Sequence, residues 1–187
     1  MEHRATRGRH LDATAVRALD AVVRTPFGAV GIRTEGVGTE DECVAEILYL
    51  PPGSPAVKPR NRLAARAAAQ VEAYLRDPAA PFALPLKPVG TRFQRRVWDQ
   101  IAAIPAGEVR SYGAVAQALR SGPRPVGQAC GANHFPLAIP CHRVVSSGGI
   151  GGFGGARGAP DPSRARNDDG FHIAIKRWLL AHEGVQL

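Results

Sequence analysis

SYGAVAQALRSGPRPVGQACGA, residues 111–132 of this 187-residue chain, holds two short helical patterns and the turn between them. Ser111 can cap the first, which runs from Tyr112 to about Leu119 with Val115, Ala118 and Leu119 as its apolar stripe. Arg120-Ser121-Gly122-Pro123 breaks the pattern, and a second helix of small residues follows from Arg124 to about Ala132. Two short helices joined by a Gly-containing turn read as a helix-turn-helix. The second helix offers few long polar side chains, unlike a major-groove reader. Its small residues suit either a tightly packed core or close backbone approach to a narrow minor groove, with Arg124 at its start able to reach into a base stack.

Upstream, Thr91-Arg92-Phe93-Gln94 has the form of a capping box, and Phe93, Val97, Ile101 and Ile104 then make one apolar stripe with Trp98 beside it. That stripe is core. Residues 78–88 are proline-rich and extended, a linker or a strap, and a domain boundary is expected near residue 88. Before them, Asn61 opens a helical pattern through Leu63, Ala67, Val71 and Tyr74 or Leu75, closed by Asp77-Pro78. Residues 21–33 read as two strands about the turn Thr25-Pro26-Phe27-Gly28, and 43–50 as a third. The expected architecture is α/β (α+β): an arm over 1–19, a small antiparallel sheet with a helix over 20–88, and a mainly helical domain containing the helix-turn-helix over 89–187.

Downstream lies Ile139-Pro140-Cys141-His142-Arg143-Val144-Val145. A thiol beside an imidazole is a candidate activated nucleophile, because the thiolate is the attacking species. Neighbours on an extended chain point to opposite faces, so His142 would reach the sulfur through a turn or a bridging water. A structural Cys-His pair fits these residues as well. The glycine-rich run that follows, through Gly151, Phe153 and Gly154, lacks the Gly-Lys-Ser/Thr ending of a phosphate loop and suits a flexible wall for a flat ligand. Residues 160–169 read as a polar surface loop. A last helix, Gly170 to His182, carries Phe171, Ile175, Trp178 and Leu179 on one stripe and leads to Glu183.

The formal charge is +8, which suits a polyanionic partner, although an arginine-rich composition arises for other reasons too. Three scattered cysteines make neither a disulfide framework nor a metal finger, so a reducing cytosol is expected. No apolar run is long enough to span a membrane.

Five blocks in order, GTRFQRRVW (90–98), IPAGEVRSYG (104–113), VGQACGAN (126–133), IPCHRVV (139–145) and KRWLLAHEG (176–184), strongly resemble the O6-alkylguanine-DNA alkyltransferases. The resemblance covers residues 20–184, more loosely in the front half. It implies irreversible transfer of an alkyl group from O6-alkylguanine in duplex DNA, with O4-alkylthymine a candidate second substrate, to the protein's own cysteine, once per molecule and with the base flipped out. Cys141 would be the acceptor and His142 the base, acting through water and oriented by Glu183. Tyr112 would protonate the guanine ring, and Asn133 would link the helix to the reactive turn. Arg124 would fill the gap left by the flipped nucleotide, on a DNA face with Tyr112, Gly127, Gln128, Ala129 and Gly131. Val144, Gly151, Phe153 and Gly154 would line the pocket. The resemblance implies no cofactor or metal, a monomer, and a place in the cytoplasm with the nucleoid. A non-catalytic lesion-binding module is the alternative, although relatives of that kind lack the acceptor cysteine. A Cys-His hydrolase would leave the helix-turn-helix unexplained. His134 stands where the family has proline, and residues 157–172 look like an insertion.

Overall fold

A computed structural model describes residues 18–152 and 162–186, with side chains from 170 onward in the second stretch. Most of the expected arm, Phe153, Gly154 and the first part of the expected insertion lie outside these residues.

Strands β1 (Ala21–Thr25), β2 (Gly28–Glu35) and β3 (Cys43–Leu50) form an antiparallel sheet in that order. The β1–β2 register pairs Thr25 with Gly28, which leaves Pro26-Phe27 as the hairpin tip. Helix α1 (Arg62–Arg76) starts where Asn61 accepts a hydrogen bond from the Ala64 amide. It buries Leu63, Ala64, Ala67, Val71 and Tyr74 against the sheet. The proline-rich segment is a strap along β3: the Val44 amide donates to the Pro85 carbonyl at 2.7 Å, and Lys87 N–H to the Val44 carbonyl at 2.9 Å.

Helix α2 (Arg92–Ala102) begins in the full capping box, Thr91 and Gln94 each satisfying the other's backbone amide. Val97, Trp98 and Ile101 are buried. Strand β4 (Arg110–Ser111) runs into α3 (Tyr112–Ala118), which the Ser111 hydroxyl caps on the Ala114 amide. Helix α4 (Pro123–Gly131) follows, with Pro123 in its first turn, where no donor is needed. A 3₁₀ turn, Cys141–Arg143, leads into β5 (Val144–Val145), which pairs parallel to β4. One apolar core runs from the sheet through α1 and α2 to α4 and the last helix.

That last helix, α5 (Pro162–His182), corrects the expected loop over 160–169 and the expected start at Gly170. Its first turns carry no apolar stripe, so hydrophobic periodicity could not reveal them, and Pro162 at the first position is compatible with a helix start. Among the described residues no helix is long and apolar enough to cross a membrane.

Candidate active site

The reactive turn is placed by the segment ahead of it. Asn133, just past the end of α4, donates from Nδ2 to the Ile139 carbonyl at 2.8 Å and to Cys141 Sγ at 3.1 Å, while its Oδ1 accepts from the Phe135 amide. One buried amide thus closes the loop 133–141 and touches the sulfur. Inside that loop, buried Leu137 has φ 73°, a left-handed backbone that costs a branched side chain of order 1–2 kcal/mol and is held by the packing around it. The front sheet grips the same loop, because the Ile47 amide of β3 donates to the His134 carbonyl at 2.9 Å.

Cys141 and His142 are both buried. His142 Nε2 lies 2.7 Å from Glu183 Oε1, so the tautomer that donates from Nε2 leaves Nδ1 as the proton acceptor. Nδ1 has no hydrogen-bond partner among the described residues. Burial holds the imidazole pKa below its ordinary value, against the pull of Glu183.

Glu183 is the hub. Arg143 forks onto it, Nε to Oε2 and Nη2 to Oε1, both at 2.9 Å, and also donates from Nη1 to the Ile104 carbonyl. Tyr74 of α1 donates its hydroxyl to Oε1 at 2.8 Å. Burial alone would raise this carboxyl, but the hydrogen bonds from His142, Arg143 and Tyr74 bring it down to about 2, so it stays ionised. The loop after α2 closes on the same group, the Gly107 amide lying 3.4 Å from Oε2.

The Tyr112 hydroxyl donates to the Gly152 carbonyl at 3.1 Å. Burial raises its pKa, so the phenol is neutral at ordinary pH. Lys176 of α5 is fully buried and donates to the Val144 carbonyl at 2.7 Å and the Gly152 carbonyl at 3.0 Å, tying β5 to the glycine-rich wall. Burial lowers its pKa to about 8. Gly151 has φ 68°, and a Cβ there would lie 2.6 Å from the Ser146 hydroxyl and 3.2 Å from the Tyr112 ring, so the wall closes only around glycine.

Cys130 of α4 is half-buried. The interaction between the Cys130 and Cys141 thiols, with burial, raises the Cys141 pKa, while the same interaction lowers that of Cys130. Beyond it, Arg124 and Gln128 are exposed, and helical spacing puts Gly127 and Gly131 on their face. Ala129 is not on that face: it is buried, and its carbonyl accepts from Trp98 Nε1 at 2.8 Å.

The structure therefore gathers Cys141, His142, Glu183, Asn133, Tyr112, Val144 and Gly151 about one point. Sequence reading passed over Arg143, Tyr74, Lys176 and Cys130. Lys176 carried a signal, a lysine seven residues before Glu183 and hence on the same helical face inside an apolar segment. Tyr74 carried none, since its partner is 109 residues away. Among the described residues no three His, Cys, Asp or Glu side chains are grouped as metal ligands.

Residues 92–185 match the model of the 6-O-methylguanine DNA methyltransferase, DNA binding domain. A methylated-DNA--protein-cysteine methyltransferase of Archaeoglobus fulgidus is 42% identical over 118 residues, covering 63% of this chain and 74% of that protein. One from Mycobacterium leprae is 41% identical over 100 residues, 52% of this chain, and the match spans only 61% of that relative's length. The crystal structure of Mycobacterium tuberculosis OGT in complex with DNA superposes with a TM-score of 0.65 at 28% identity, over 87% of this chain and 90% of that one. With half of its length matched by the family's own model and its site built from the matched segments, the chain belongs to the 6-O-methylguanine DNA methyltransferase family.

Proposed function

We propose that this protein repairs O6-alkylguanine in duplex DNA by moving the alkyl group irreversibly onto Cys141. The observation that carries the reading is a buried thiol whose sulfur accepts from Asn133 beside a histidine held on an ionised glutamate, together with a small-residue helix that exposes Arg124 and Gln128. The Cys141 proton passes through a water to His142 Nδ1, and Glu183 stabilises the imidazolium that forms. The sulfur attacks the alkyl carbon; the C–S bond forms as the C–O6 bond breaks, and the electrons of that bond go to guanine. Tyr112 gives the ring a proton, so the base leaves neutral. The thioether has no leaving group for water to displace, and each molecule reacts once.

An alkyl carbon inside a stacked duplex cannot meet the sulfur in line, so the nucleotide is extruded at a cost of a few kcal/mol. Arg124 fills the gap, Gly127, Gln128 and Gly131 lie along the minor groove as part of a helix-turn-helix, and backbone groups around Val144 and Gly151 hold the flipped base. Residues 89–187 do this chemistry, while the unit over 20–88 braces it through Tyr74 and β3. The protein acts as a monomer in the cytoplasm, on the nucleoid. The amount of duplex repaired should equal the amount of protein and then stop, which a titration with O6-methylguanine duplex measures; continued turnover would point to a hydrolase, and tight binding with no repair to a lesion-binding module.

A further inference from the structure

Oxygen Oε1 of Glu183 receives three donors: His142 Nε2 at 2.7 Å, the Tyr74 hydroxyl at 2.8 Å and Arg143 Nη2 at 2.9 Å. A carboxylate oxygen has two lone pairs, so the three compete for it and each takes part of the charge that would otherwise act on the other two. Tyr74 is the neutral member of the set and comes from α1 in the front half, 109 residues from Glu183. Its hydroxyl is held in place. The ring lies 5.9 Å from that of Phe82 in the strap and 5.3 Å, edge-on, from that of His182, and the Tyr74 carbonyl accepts from His182 Nε2 at 2.8 Å. His182 stacks on Trp178 with centroids 4.8 Å apart, and Trp178 meets Phe27 of the hairpin tip at 5.0 Å. Rings from both halves of the chain thus fix one hydroxyl on the carboxylate that faces the imidazole. These contacts need only the ring, which leaves the hydroxyl to act on Glu183.

We propose that Tyr74 is a positioning residue for alkyl transfer, sharing Glu183 Oε1 with His142 so that the carboxylate orients the imidazole while leaving it a neutral proton acceptor. An imidazole alone on a buried carboxylate is favoured as imidazolium, which has no lone pair for the Cys141 proton. With part of the carboxylate's charge taken up by the Tyr74 hydroxyl the pull on His142 is smaller, and Nδ1 stays ready to accept. Tyr74 itself gives up no proton, because burial and the charge of Glu183 raise its phenol far above the ordinary value. The charged and titratable groups about His142 are Glu183, Arg143 on the same turn, Lys176 of α5 and Cys141, with Tyr49 of β3 a phenol kept neutral by burial. Tyr74→Phe changes the charge of none of them.

The effect on repair rests on the proposed function, whereas the effect on His142 is measured without it. The test follows the ring signals of His142 and His182 by NMR across the acid range in parent and Tyr74→Phe. In Tyr74→Phe the His142 titration should move to higher pH, while that of His182, which meets Tyr74 through ring and backbone, stays as in the parent. Transfer from O6-methylguanine duplex at about pH 5 should fall roughly threefold relative to its value at about pH 7, because more of His142 is protonated there. Replacement of Tyr74 by 3-fluorotyrosine keeps the ring and makes the hydroxyl a stronger donor, so both readouts should move the other way, and it decides the matter if Tyr74→Phe does not fold. A His142 titration that stays put, moves to lower pH, or moves together with that of His182 would overturn the proposal. So would a rate reduced equally at both pH values, the mark of a purely structural role. A parent protein that transfers no methyl group would remove the repair reading, and the His142 titration would still decide whether Tyr74 limits the hold of Glu183 on the imidazole.

Discussion

Glu183 is the residue on which the site's charge balance turns. Three side chains donate to it and both of its oxygens accept, which is why its carboxyl sits near 2. A folded-state pKa below the unfolded one means that the carboxylate stabilises the fold above the unfolded value, near 4.3, and that this contribution disappears as pH falls towards 2. The amount is roughly 3 kcal/mol. Glu183→Gln should therefore be less stable than the parent at neutral pH, the gap narrowing as pH falls from about 4 towards 2 in denaturant titrations. It should also slow methyl transfer while sparing lesion binding; an unchanged rate would remove Glu183 from the relay. Lys176 has the opposite sign. Its pKa of about 8 lies below that of a free lysine, so the buried ammonium opposes folding and stability should rise with pH between about 8 and 10. In Lys176→Met that rise should vanish, and the Val144 and Gly152 carbonyls lose a donor, at about 1–3 kcal/mol for each one left buried without a partner. Slower transfer is expected with it, because both carbonyls lie in the segments proposed to hold the flipped base.

The turn between α3 and α4 is a helix stop with the wrong residue for its backbone. Arg120 N–H donates to the Gln117 carbonyl and Ser121 N–H to the Ala116 carbonyl, a Schellman closure whose left-handed position usually holds glycine. Arg120 occupies it with φ 52°. Arg120→Gly should remove that strain and, after the entropy that glycine loses on folding, raise stability by up to about 1 kcal/mol in thermal unfolding. A fall in stability would mean that the arginine side chain contributes more than its backbone costs. Elements of this kind were legible in the sequence to different degrees. The capping box at Thr91–Gln94 and the caps at Asn61 and Ser111 are local, so a few neighbouring residues determine them. The first turns of α5 were not legible, because a polar helix has no apolar period. Within the site, the Cys141–His142 pair is visible in any reading, but its carboxylate is 41 residues distant from the histidine: the residues alone make Glu183 a potential orienter or a solvated terminal glutamate, and the family resemblance pairs it with His142. The hydrogen bond of Tyr74 comes from packing, which no local pattern encodes.

At the scale of the molecule, the front sheet and the reactive half share one core and one hydrogen-bond system. Tyr74 reaches Glu183, His182 donates from Nε2 to the Tyr74 carbonyl at 2.8 Å, and Phe27 at the hairpin tip packs on Trp178 with ring centroids 5.0 Å apart. The front half is therefore part of what holds Glu183 in place. The whole chain carries a formal charge of +8, and duplex affinity should fall steeply with added salt as released counterions lose their advantage. Arg124→Ala should weaken repair of duplex DNA more than reaction with the free base O6-benzylguanine; equal losses would show that Arg124 has no part in flipping. The central claim is that the alkyl group ends on one sulfur of this protein. Incubation with duplex carrying radiolabelled O6-methylguanine, followed by peptide mapping, should recover one methyl per molecule on Cys141 and none in Cys141→Ala. Label on another residue, or label left on the DNA or released to solvent, would contradict it.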